Sequence, residues 1–384
     1  MTSKTIKASS TEAISNEIDK AISDDFRPTL AIVFLSVKQD CESVRSILNT
    51  KNITIFGATT SGEFIDGQIE EGGIVLMLLD MDLAYFKLEF IEASTQNGFE
   101  SAKKLGVIGK SSFNNPAFLI ATGGVALDGE HIVNGITEGF GNSQNKEVTI
   151  FGGKAGDDLL LEAPFVFTND KSKENALVAL IIDEDKIDVR GIATCGWKPI
   201  GTAKTVTKSE GNVVYTIDDK PALDMLLKYL GIEVTFEVKD EVVSLLSSWY
   251  YPLQLERENA EPVIRSAMFA NCKDRSIICA GNVPQGSKVK FSLPPDFDSI
   301  DTVVSDCESI KNNTQAQADA LIMFSCVSRH LSFGVLMKDE IEQVQQVWNA
   351  PMVGFFTYGE FGRSRTGKNE YHNNTCCIVA LKEK

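Results

Sequence analysis

A short glycine–carboxylate signature occurs three times along this 384-residue chain. The copies are Gly57-Ala58-Thr59-Thr60-Ser61-Gly62-Glu63, Gly152-Gly153-Lys154-Ala155-Gly156-Asp157 and Gly354-Phe355-Phe356-Thr357-Tyr358-Gly359-Glu360. A short apolar run precedes each copy (residues 53–56, 148–151 and 351–353), and a polar loop then leads to a fully apolar run (74–79, 176–182 and 376–381). Self-similarity at this scale implies a fold assembled from one supersecondary unit used repeatedly. It also predicts glycine-rich turns, each ending in a carboxylate, at equivalent places on related sheets, which is one way to build a ligand cleft.

The unit reads as strand, helix, strand, glycine turn, strand. In the first copy these are a strand over 30–35, a helix capped by Asp40 with Val44, Ile47 and Leu48 on its buried face, and strands over 53–56 and 74–79. The second copy has a strand over 117–121, a helix near 129–140 aligning Ile132, Ile136 and Phe140, and strands over 148–151 and 176–182. The third has a strand over 321–326, a helix near 339–348 with Ile341, Val344 and Trp348, a short strand, and a strand over 376–381. Strands joined through a helix lie parallel, and continuously apolar strands belong to sheets covered on both faces. Cys376 and Cys377, adjacent on one strand, should face opposite ways.

Residues 1–27 read as a polar helical lead-in with Ile14, Ile18 and Ile22 on one face. A β-rich stretch separates units two and three. Residues 187–217 alternate in polarity, Glu210-Gly211-Asn212 makes a hairpin turn, Pro221 opens a helix that Gly231 stops, and 262–293 form a further strand cluster. The expected fold is mixed α/β, with two domains whose mixed sheets are covered by helices. The lead-in spans 1–27, the first domain 28–218 and the second 219–384.

The net charge of −16 with no basic stripe argues against nucleic acid or an anionic membrane surface as a partner. No apolar run is long enough to cross a bilayer, and the polar start of the chain shows no secretory signal. Eight cysteines without CxxC or Cys/His spacing suit a reducing compartment and no metal site. The expectation is a cytoplasmic protein.

Several residues could hold a ligand. Thr59, Thr60, Ser61 and exposed backbone N–H groups could hold an anionic group, glycine permitting close approach, and Gly62, Gly153, Lys154 and Gly156 are further ligand-binding candidates. Glu63, Asp157 and Glu360 could accept from a ligand ammonium. The alternative is that the glycines only turn the chain and the carboxylates cap nearby backbone. Cys326, Arg329 and His330 follow an apolar strand, where α/β proteins place ligand contacts. The fork of Arg329 suits a carboxylate, unless it pairs internally with Glu360 or a neighbouring acid. Thr357, Tyr358, Gly359, Glu360, His372, Asn373 and Thr375 could orient a small polar ligand under a basic loop at 362–368 that could act as a lid. Arg329→Ala and Glu360→Ala are then expected to weaken binding and leave the fold intact. No nucleotide, protease, kinase or hydrolase motif is present, so no catalytic residue is assigned.

On Gly57 to Glu63, residues 152–158, Gly196-Trp197-Lys198-Pro199-Ile200-Gly201, Phe324-Ser325-Cys326-Val327-Ser328-Arg329, Gly354 to Glu360 and His372-Asn373-Asn374-Thr375, the chain resembles FIST-domain proteins with an N- and a C-terminal module. The resemblance implies a sensory module for a small ligand, amino acids often being suggested, that signals through a partner or through homo-oligomerisation. It also implies an alternative: a haem-containing nitric-oxide sensor acting on a histidine kinase. Its axial ligand would come from His330 or His372, with His131, Cys326 and Tyr358 behind them. A third reading is a scaffold protein without a ligand.

Overall fold

Three mixed sheets of identical strand order form the body of the protein. This computed structural model describes every residue except 24, 142–146, 232–240, 259 and 315–316. The first sheet runs Ser3–Ala8, Ile74–Leu79, Leu30–Leu35, Thr54–Thr59, Val166–Phe167, Ser172–Lys173. The second runs Phe86–Glu92, Ala176–Asp183, Pro116–Thr122, Thr149–Lys154, Glu360–Arg363, Asn369–His372. The third runs Ile187–Thr194, Cys376–Glu383, Ala320–Cys326, Met352–Thr357, Glu63–Ile65, Gln68–Glu70. In every sheet the two strands joined through a helix are parallel, as the sequence predicts.

The last two strands of each sheet are borrowed. The hairpin after the first glycine signature joins the third sheet, that after the second joins the first, and that after the third joins the second. Each borrowed strand places a phenylalanine opposite the first glycine of the receiving signature: Phe167 on Gly57, Phe64 on Gly354 and Phe361 on Gly152. A Cβ at Gly57 would stand 2.2 Å from the Phe167 ring, and one at Gly354 would stand 2.1 Å from Phe64. These glycines are required because the aromatic ring occupies the space of a side chain.

Alternation along the strands divides the apolar residues between two layers. Leu30, Ile32 and Phe34 meet Leu119, Ala121, Ile322 and Phe324 in one core shared by all three sheets. The rings of Phe34, Phe324 and Phe355 stand 4.6 to 6.1 Å apart at its centre. Outward-facing residues lie under helices: Ala31, Val33 and Leu35 with Thr11–Ala21 and Cys41–Thr50, Phe118 and Ile120 with Gly98–Ser112 and Gly129–Phe140, Leu321 and Met323 with Phe297–Thr314 and Met337–Trp348. Cys377 faces the shared core and Cys376 the helices.

One expectation needs correction. Residues 1–27 are not helical throughout: Ser3–Ala8 is the edge strand of the first sheet, antiparallel to Ile74–Leu79, and the helix begins at Thr11 behind Ser10, whose hydroxyl accepts from Ala13 N. The turn at 218/219 lies between Val213–Ile217 and Lys220–Pro221, which pair with each other. Residues 199–292 carry a nine-stranded sheet with its own apolar core under the helix Ala222–Leu230. This segment interrupts the third unit between Ile187–Thr194 and Phe297–Thr314.

Candidate ligand site

Hairpin exchange brings the three bends into one ring of backbone hydrogen bonds. Phe356 N donates to Gly62 O at 2.9 Å while Ser61 N donates to Phe356 O at 3.1 Å. The same pair recurs as Lys154 N to Gly359 O at 2.8 Å and Tyr358 N to Lys154 O at 3.2 Å. The third join pairs Thr59 N with Phe165 O at 3.0 Å. Its return bond would fall to Pro164, which has no N–H, so Gly156 N supplies it to Thr59 O at 2.9 Å. The bends therefore converge. In this register Thr59, Lys154 and Phe356 are equivalent, and only the second copy puts a charge there.

The signature carboxylates face inward and are occupied. Glu63 accepts from Thr60 Oγ1 and, at 3.1 Å, from Gly73 N. Glu360 accepts from Thr357 Oγ1 and from both N (3.2 Å) and Oγ1 (2.7 Å) of Thr375. Burial pushes both carboxyls up to about 7 against this hydrogen bonding. Asp157 accepts from the backbone N–H groups of Leu161, Glu162 and Ala163 at 2.7 to 2.9 Å, and from the hydroxyl of Tyr358. The capping role weighed from the sequence is the one these acids have.

Beside the ring, at the C-terminal ends of the parallel strands, lies a cavity of about 230 Å³. The body contributes Lys154, Cys326, Ser328, Tyr358, Tyr371 and Asn373, while the inserted sheet closes it with Ser266, Met268, Phe269 and Ile278. Lys154 is 6% exposed. Its Nζ donates to Val125 O and Leu127 O at 2.8 Å each, and burial pushes it down to about 8. An ammonium has a third N–H. Among the described residues no carboxylate pairs with it; Asp128 only raises it from a distance. Asn373, 2% exposed, donates to the Tyr371 hydroxyl at 3.4 Å, and its Oδ1 has no partner among the described residues. The Cys326 thiol is pushed up by burial and stays protonated. An unpaired buried cation beside an unpaired buried acceptor is costly unless something fills the space.

Of the residues singled out from the sequence, the cavity gathers Lys154, Cys326, Tyr358 and Asn373. Thr59, Thr60, Ser61, Gly62, Gly153, Gly156, Thr357 and Gly359 do not line it. They shape the ring and its borrowed strands: a Cβ on Gly156 would lie 2.5 Å from Ser61 Oγ. Arg329 is fully buried, and its fork is engaged by Glu340 through Nε at 3.2 Å and through Nη2. Its Nη1 donates to Cys195 O and Asn374 O at 2.6 and 3.1 Å, and Phe333 and Trp197 cover its faces. It holds the third unit together and does not line the cavity. His372 and Thr375 line a second space of about 290 Å³ with Glu261, Asp306 and Arg365, the last from the basic loop. Arg365 pins that loop to Glu261 and Asp306.

The histidines do not fit a haem. Burial, with the nearby Arg265 charge adding to it, pushes His372 down to about 3, which leaves it neutral and able to ligate, but the space it borders is small for a flat macrocycle. His330 lies outside both cavities, stacked 4.1 Å from the Phe356 ring with Nε2 3.0 Å from Glu71. His131 is on a helix surface near Asp128.

The lining residues of the inserted sheet gave no sequence signal, because Ala267–Asn271 and Ser276–Cys279 read as ordinary strands. Lys154 did carry one, as a lone charge in a run otherwise matched by Thr59 and Phe356. Together these features define a mixed α/β protein whose inserted sheet closes a cavity on the body. The FIST N domain profile matches residues 29–220 and the FIST C domain profile matches residues 222–363, so the chain belongs to the FIST family. FIST domains are associated with small-ligand sensing in signal transduction. No curated protein matches the chain. Among the described residues no helix is long and apolar enough to cross a membrane.

Proposed function

We propose that this protein is a non-enzymatic sensor that takes a small carboxylate-bearing metabolite, of the size of an amino acid, into the Lys154 cavity. The observation carrying this reading is that the buried Lys154 ammonium, with one unengaged donor and no carboxylate partner among the described residues, lines the same cavity as Asn373, whose Oδ1 is unpaired among them. Such groups are stabilised by a ligand that supplies an anion to one and a donor to the other.

Because the body and the inserted sheet both line the cavity, a ligand there touches two separately packed units. Binding then changes how the insert sits on the body, which gives a partner protein such as a histidine kinase something to read. Arg265 is one joint of that arrangement: it donates to Asn282 O and Ile264 O on its own side and to Tyr371 O and Glu130 across the interface. All eight cysteines are free thiols, which supports a reducing, cytoplasmic setting. A calorimetric screen of small carboxylates against the full chain and Lys154→Met tests the reading. At least one compound should bind the first and fail on the second. Binding that is indifferent to Lys154 would remove the ligand from this cavity, and none from any compound would leave a ligand-free scaffold as the better description.

A further inference from the structure

The charge inventory of the cavity narrows the ligand further. This step rests on the reading that the cavity is the ligand site. Among the described residues its lining holds one cation, Lys154, and no Asp or Glu. The nearby acids are already engaged: Asp157 lies behind the Tyr358 hydroxyl under three backbone N–H groups. Glu360 is held by Thr357 and Thr375. Behind Tyr371, the Arg265 charge is matched by Glu130. The remaining polar side chains of the described lining are neutral: the hydroxyls of Ser266, Ser328, Tyr358 and Tyr371, the amides of Asn212 and Asn373 and the thiols of Cys279 and Cys326. A ligand ammonium would therefore meet a like charge on Lys154 and no carboxylate, whereas a ligand hydroxyl finds the Asn373 Oδ1 acceptor open.

We infer that the site takes a short monocarboxylate whose second polar group is a neutral hydrogen-bond donor, such as a 2-hydroxy acid, and that it rejects the zwitterionic amino acid of the same shape. The carboxylate lies on the free Lys154 donor, the hydroxyl on Asn373 Oδ1, and an aliphatic side chain against Met268, Phe269 and Ile278. About 230 Å³ holds seven or so water-sized volumes of roughly 30 Å³, which suits an acid of a few carbons. Discrimination by charge is strong in such a site, because a buried like charge has no solvent to screen it.

Matched pairs decide it: lactate against alanine, 2-hydroxy-3-methylbutanoate against valine, and 2-hydroxy-4-methylpentanoate against leucine, each titrated calorimetrically into the full chain. The best hydroxy acid should bind about tenfold or more tightly than its amino acid. In Lys154→Met, affinity for that hydroxy acid should fall about tenfold or more. Asn373→Asp places a carboxylate in the cavity and should shift the preference about tenfold toward the amino acid. An amino acid that binds the wild type as well as its partner, or an unchanged preference in Asn373→Asp, overturns this inference and leaves the cavity as the ligand site. No binding by either member of any pair, or binding unaffected by Lys154→Met, overturns both.

Discussion

Replacing Lys154 with methionine should make the empty protein more stable near neutrality. Burial moves the ammonium from 10.5 to about 8. At about 1.4 kcal/mol per tenfold, that places the charged form roughly 3 kcal/mol above its cost in water. Two hydrogen bonds, to the carbonyls of Val125 and Leu127, offset part of this; at about 1 kcal/mol each the net gain for methionine is roughly 1 kcal/mol at pH 7. The pH signature is sharper than that difference. A base whose folded value is depressed contributes stability that is fully present above its unfolded value and lost as pH falls through the folded value. The wild type should therefore gain on Lys154→Met by roughly 2–3 kcal/mol between pH 7 and pH 10. Urea denaturation of both proteins at the two pH values measures this, and other titrating groups cancel in the difference. An equal gap at pH 7 and pH 10 would refute a buried, unpaired Lys154.

Other consequences follow from the ring and the body. Glu63 and Glu360 are raised from 4.5 to about 7, so folding is favoured below pH 4.5 and weakens as pH rises to 7, by roughly 3 kcal/mol per group. Glu63→Gln/Glu360→Gln should flatten that slope in urea titrations at pH 5 and pH 8. Arg329→Ala leaves Glu340 buried without its partner and should cost about 3–5 kcal/mol, read as a lowered urea midpoint. The half-exposed Arg365→Ala should cost under about 1 kcal/mol in the same assay. Gly354→Val drives a side chain into the Phe64 ring and should destabilise by about 3 kcal/mol or more, with hydrogen exchange rising first in the borrowed hairpin at residues 63–70.

The repeat was legible because its strands and helices are local. Strand–helix–strand runs carry their own periodicity, so the parallel pairs, the Asp40 cap on Cys41–Thr50 and the opposed faces of Cys376 and Cys377 could be read directly. Hairpin exchange could not. Val166–Phe167 is too short for alternation to show, and its partner Thr54–Thr59 lies more than a hundred residues away. Ile187–Thr194 was read with the strands after it because nothing at 195–198 signals a change of sheet; its partner is the C-terminal strand Cys376–Glu383. The glycine signature marks a ring beside the proposed cavity, but its residues do other work. Its bends converge, but the glycines admit phenylalanine rings and the acids cap backbone. Arg329 shows the same limit: its carboxylate, Glu340, sits on a different helix at no recognisable spacing, so a structural ion pair looks like a ligand fork. What marked the site was a departure from the repeat, the charge at Lys154.

The most direct test is a crystal structure of the full chain with the tightest-binding carboxylate from the matched pairs. The ligand should lie between the body and the inserted sheet, its carboxylate within hydrogen-bonding distance of Lys154 Nζ and its hydroxyl on Asn373. Ligand density elsewhere, with Lys154 still bonded only to the carbonyls of Val125 and Leu127, would contradict the account.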